Sequence, residues 1–79
     1  MKIKVTVKEK KTLLKKIDTP FIRLDSFLKL CDAVATGGHA KAVIQNGEVR
    51  VNGEVCVQRG KKLRPGDKAE FENTIYKVE

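Results

Sequence analysis

The chain has no tryptophan, a single histidine, His39, and two cysteines, Cys31 and Cys56, among its 79 residues. A structural zinc takes about four Cys or His ligands, usually closely spaced, so a metal centre is not expected. A distant cysteine pair without a secretory signal reads as two reduced thiols that fill small apolar sites. No apolar run approaches the roughly 18 residues of a membrane-spanning helix, and the Lys-rich start lacks the apolar centre and small-residue cleavage site of a signal peptide. A cytoplasmic location is the expectation. The aromatics are Phe21, Phe27, Phe71 and Tyr76. They read as structural, with Tyr76 the one candidate for base stacking, so recognition of single strands on an aromatic platform is disfavoured. No nucleophile is paired with a general base. A chain this short buries only about 60% of the surface its unfolded state exposes, which leaves little room for a deep substrate cavity.

Positive charge, by contrast, is abundant: 17 Lys and Arg against 10 Asp and Glu give a net charge of +7. Residues 59–64 carry Arg59, Lys61, Lys62 and Arg64 with no acidic residue among them. They follow an Asn52-Gly53 hairpin signal, and a short basic loop at the mouth of a rigid turn presents cations to a polyanion. The cations of residues 2–16 are dispersed and read as solubility and secondary attraction. Nucleic acid is therefore the first partner to consider. No cofactor, small-molecule substrate or membrane partner is expected.

The hydrophobic pattern predicts one α+β domain over residues 1–79, with no internal repeat, linker or low-complexity tract. Ile3, Val5 and Val7 alternate with polar residues, as in a strand with one wet face. Residues 12–17 are too short to decide and read as a connector; Pro20 then favours an extended run through Phe21 and Ile22. Leu24, Phe27, Leu28, Cys31, Val34 and Ala35 recur at helical spacing and predict one amphipathic helix. Thr36-Gly37-Gly38 is expected to break it, with a second helix over residues 39–46 stopped by Gly47. The three-residue connection makes the two a helical hairpin. Asn52-Gly53 predicts a type I′ hairpin in which Val49 faces Cys56 and Val51 faces Glu54. Arg64-Pro65-Gly66-Asp67 has the residues of a type II turn. Strands are expected at residues 69–72 and 75–78, divided by Asn73-Thr74. The architecture is a two-helix hairpin packed on a small, mainly antiparallel sheet.

Four blocks carry a resemblance: Arg23-Leu24-Asp25-Ser26-Phe27-Leu28, Ala40-Lys41-Ala42-Val43-Ile44-Gln45-Asn46-Gly47, Val49-Arg50-Val51-Asn52-Gly53 and Leu63-Arg64-Pro65-Gly66-Asp67. In order and spacing they resemble the RNA-binding domain named after ribosomal small-subunit protein four, the S-four or alpha-L motif. The resemblance spans residues 23–71, leaving 1–22 as an N-terminal strand and connector. Gly37-Gly38-His39-Ala40-Lys41 and Arg59-Gly60-Lys61-Lys62-Leu63 look like the short stand-alone bacterial members, the YaaA-like and YbcJ-like proteins. The resemblance implies binding of structured, commonly ribosomal, RNA by the two helices and the following hairpin.

It also implies site residues. Arg23 matches the helix-opening arginine, and Lys41 and Gln45 lie one turn apart on the exposed face of the second helix, placed for phosphate and ribose. Arg50 is a further candidate, although a hairpin arginine also serves by pairing with Glu48 or by covering apolar surface with its stem. Many members open the second helix with a Ser-Arg pair, where this chain has Thr36-Gly37-Gly38. Here Gly38 either lets a phosphate approach the main chain at a helix N-terminus or serves only a tight turn. Arg59, Lys61, Lys62 and Arg64 are the strongest candidates. The expected function is non-enzymatic RNA binding. The alternative is a ubiquitin-like sulfur carrier or protein-interaction module; such carriers share a terminal Gly-Gly, whereas this sequence ends Lys77-Val78-Glu79.

Overall fold

The computed structural model describes residues 11–79. The strand expected around Ile3, Val5 and Val7 lies outside the described residues. The first described element is instead β1, Lys11–Lys15, which overlaps the stretch 12–17 read as a connector. Adjacent Leu13 and Leu14 hide the alternation of a strand, and pairing supplies what the local pattern does not. β1 lies parallel to β7, Thr74–Val78, with Leu13 opposite Tyr76. Main-chain bonds from Glu79 N–H to Lys15 O (2.9 Å) and from Ile17 N–H to Glu79 O (2.9 Å) carry the pairing beyond the strand end.

The helices are α1, Leu24–Leu30, and α2, Gly37–Gln45. The first is shorter than its apolar pattern. Asp32 takes a left-handed conformation (φ 58°), and Asp32 N–H donates to Lys29 O while Ala33 N–H donates to Leu28 O. These two bonds form a Schellman motif, which ends α1 and satisfies its last carbonyls. Val34 still reaches the core, from a loop that happens to continue the helical spacing. The second helix begins earlier than expected, because Thr36 caps it: its Oγ1 accepts from His39 N–H at 3.1 Å. Gly37 and Gly38 therefore form its first turn, and the interhelical connection is residues 31–36. Gly47 (φ 77°) closes α2 with a second Schellman motif, its N–H bonded to Ile44 O and that of Glu48 to Val43 O.

The remaining strands are β2 (Ile22–Arg23), β3 (Val49–Val51), β4 (Glu54–Val55), β5 (Lys62–Leu63) and β6 (Lys68–Phe71). The main sheet runs β1-β7-β6-β3-β4, antiparallel except at β1, and β2 pairs with β5 in a separate ribbon. Asn52 and Gly53 have φ of 52° and 90°, as a type I′ turn requires, and Val51 faces Glu54. Cys56 N–H bonds Val49 O, which continues that register. The β6–β7 turn falls one residue earlier than expected, on Glu72 and Asn73 (φ 50° and 65°), because this pair takes the left-handed conformations. Leu24, Phe27, Leu28, Ala40, Val43 and Ile44 of the helices pack on Val49, Val51, Ala69, Phe71, Tyr76 and Val78 of one sheet face. Side chains alternate along a strand, so Arg50 leaves by the opposite face. Among the described residues no helix is long and apolar enough to cross a membrane.

Candidate nucleic-acid interface

The basic segment is not a free loop. Leu63, fully buried, anchors it in the core, and β5 pairs with β2 so that Lys62 lies opposite Arg23. Leu24 N–H donates to Lys61 O at 2.8 Å and Asp25 N–H to Arg59 O at 3.1 Å. Two of the orphan donors that open α1 are thus taken by carbonyls of this segment, and the next, Ser26 N–H, by Asp25 Oδ1 at 2.8 Å, with no side-chain cap from Arg23. The same bonds fix the segment's backbone while Arg59, Lys61, Lys62 and Arg64 remain exposed. Arg64 opens the turn that follows: its N–H donates to Asp67 Oδ2 at 2.8 Å, and Asp67 N–H returns to Arg64 O at 2.9 Å. Asn52 locks that turn to the hairpin, accepting from Lys68 N–H at Oδ1 (3.0 Å) and donating from Nδ2 to Asp67 Oδ1 (3.2 Å).

Arg23 joins the cluster from β2. Its guanidinium lies over Gly60, where an added Cβ would sit 3.8 Å from Nη2, and Nη2 pairs with Asp25 Oδ2 at 3.1 Å. The pair is too exposed to contribute much stability, but it orients the guanidinium along the segment. Lys62 reaches back over the ring of Phe21, its Nζ 4.9 Å from the centroid. The backbone pairing thereby brings Arg23 beside the segment that carries Arg59, Lys61 and Lys62.

The other predicted residues stand elsewhere. Lys41 and Gln45 share the exposed side of α2 one turn apart. At its N-terminus the N–H groups of Gly37 and Gly38 meet no acceptor among the described residues. Neither glycine has a positive φ, and a Cβ on Gly38 would touch only Thr36 Oγ1, at 3.9 Å. A tight interhelical turn therefore does not account for them. Arg50, on the sheet face away from the helices, is not gathered with the rest.

A family model described as an S4 domain matches residues 15–79. The chain belongs to the S4 domain family. The probable ribosome maturation protein RlbA of Bacillus subtilis (strain 168) is 48% identical over 56 residues, covering 71% of this chain and 79% of that protein. The two helices on a mainly antiparallel sheet are the S4-like fold that the four sequence blocks resemble.

Within this S4 framework the sulfur and aromatic residues take other places. Cys31 caps the C-terminus of α1, half-buried, and burial pushes its thiol up to about 11 against the counteracting Lys15 cation, with Asp32 adding to the rise. A thiol so held is protonated at neutral pH and a poor nucleophile. Cys56 Sγ lies 3.7 Å from Gln58 O, and both cysteines are free. Among the described residues no three His, Cys, Asp or Glu side chains converge on a possible metal position. Tyr76, the stacking candidate, is buried against the core and unavailable to a base. The exposed aromatic is Phe21, for which the sequence predicts a structural place; its position beside Lys62 arises from the β2–β5 pairing, and no local pattern signals it.

Proposed function

We propose that this protein binds folded RNA, ribosomal RNA foremost, through phosphate and shape recognition, as a cytoplasmic binding module that catalyses no reaction and takes no cofactor. The observation that carries the reading is the fastening of residues 59–64 to the start of α1: two main-chain bonds and a buried leucine hold the backbone while its cations and that of Arg23 face solvent. Cations on a rigid frame lose little freedom when they engage phosphates, whose own geometry is fixed in a folded RNA. Family membership supports RNA as the polyanion, and the relative's printed name supports the ribosome as its setting. In this reading Arg23, Arg59, Lys61, Lys62 and Arg64 contact phosphates. Lys41 and Gln45 extend the surface along α2, and Gly38 admits a phosphate to the open N–H groups at its start. Arg50 lies outside the surface. Crosslinking in living cells followed by sequencing of the bound RNA tests this: the expected result is ribosomal RNA enriched at discrete positions, and RNA no richer than in an untagged control would contradict it.

A further inference from the structure

The chain's aromatic complement is three phenylalanines and one tyrosine, and Phe27, Phe71 and Tyr76 are 0%, 3% and 8% exposed. Phe21, at 38%, is the exception. A lone exposed apolar residue needs no explanation by itself; its surroundings give this one a meaning. The ring directly precedes β2 and lies beneath the Lys62 ammonium, two residues before Arg23, and the strand it leads into pairs with the segment that carries Arg59 and Lys61. Its backbone is tied by Thr19, whose Oγ1 donates to Phe21 O at 2.8 Å, and it follows Pro20, whose own φ is fixed. A partly exposed aromatic ring on a tied backbone therefore stands beside cations that the proposed function assigns to phosphates.

We infer that Phe21 is a stacking platform for one unpaired base, so that the RNA this protein prefers carries a bulged, looped or terminal nucleotide next to the phosphates at Arg23 and Lys62. This rests on the RNA-binding reading above and adds to it the local structure of the ligand. Bases inside a duplex spend both faces on their neighbours, and only an unstacked base has a face to offer a side chain. The base lies on the part of the ring that Lys62 leaves uncovered. The ammonium then sits between ring and backbone, attracted by the aromatic quadrupole and the adjacent phosphate together.

Two labelled RNA hairpins with the same stem, one fully paired and one carrying a single unpaired adenosine, provide the test by fluorescence anisotropy at one fixed low salt concentration. Wild type is expected to bind the bulged hairpin about 5-fold or more tightly than the paired one, the lower range of stacking on an aromatic side chain. Phe21→Leu keeps apolar bulk without a π-face and should erase the preference, bringing affinity for the bulged hairpin down to that for the paired one. The chain has no tryptophan, so Phe21→Trp supplies a single indole, whose emission should be quenched by the bulged hairpin only. A preference absent from wild type, or undiminished in folded Phe21→Leu, overturns the inference and leaves the RNA reading in place. Failure of folded wild type to bind either hairpin counts against both.

Discussion

Cys31 shows how far the fold can change the chemistry of one side chain. Its thiol, ordinarily near 9, is pushed up to about 11, chiefly by burial at the end of α1. The unfolded chain then releases this proton at lower pH than the folded chain does. The stabilising contribution is complete below about 9 and is lost as pH climbs towards about 11. Tyr76, whose hydroxyl burial also raises, adds to the alkaline loss. Urea midpoints measured from neutral pH to about pH 11 should therefore fall less steeply for Cys31→Ala than for wild type, even though the variant starts lower for want of packing. Parallel curves would place the alkaline sensitivity elsewhere. The identity of Cys31 as a small core-side residue was readable from its helical spacing with Phe27 and Leu28. The exposure of Phe21 and the burial of Tyr76 were not, because each is set by a strand partner distant in sequence: Lys62–Leu63 for the segment after Phe21, and β1 and β6 for Tyr76.

At the scale of elements, α2 offers a separation of binding from stability. Gly38 sits in the first helical turn with ordinary backbone angles, and its added Cβ would have room. Gly38→Ala should raise stability by up to about 1 kcal/mol through helix propensity. The same methyl group stands where a phosphate would approach the open N–H groups, so RNA affinity should fall several-fold. Thermal unfolding and an RNA titration on one preparation check both; raised stability with undiminished affinity would remove the α2 N-terminus from the interface. Element types and the order of the helices were legible from apolar period, but their ends were not. Asp32 carries a cap position that glycine usually marks, so α1 looked longer than it is, while Gly37-Gly38 looked like a breaker although Thr36 had already supplied the cap. The type I′ turn at Asn52-Gly53 was legible because both residues are specific to it; Glu72-Asn73 reaches the same geometry with a glutamate, which announces nothing.

Across the whole molecule, the distribution of charge is what joins fold to function. A net charge of +7 attracts any polyanion at long range. What distinguishes a site from that general attraction is the gathering of Arg23, Arg59, Lys61 and Lys62 on a fastened backbone, with Arg50 left on the other sheet face as a natural control. The cluster from residues 59–64 was evident from sequence run alone, whereas the addition of Arg23 and the separation of Arg50 depend on the β2–β5 ribbon and on strand alternation.

RNA affinity as a function of salt is the most direct measurement, made on wild type, on Arg50→Ala and on a variant combining Arg59→Ala, Lys61→Ala and Lys62→Ala. The fastening bonds use main-chain carbonyls, so the triple variant should remain folded, as circular dichroism would verify. Each phosphate contact releases condensed counterions, and removing three cations from the interface should flatten the log–log salt dependence by about two to three units, with the slope of Arg50→Ala unchanged. A folded triple variant with the wild-type slope would contradict the assignment of this surface to RNA.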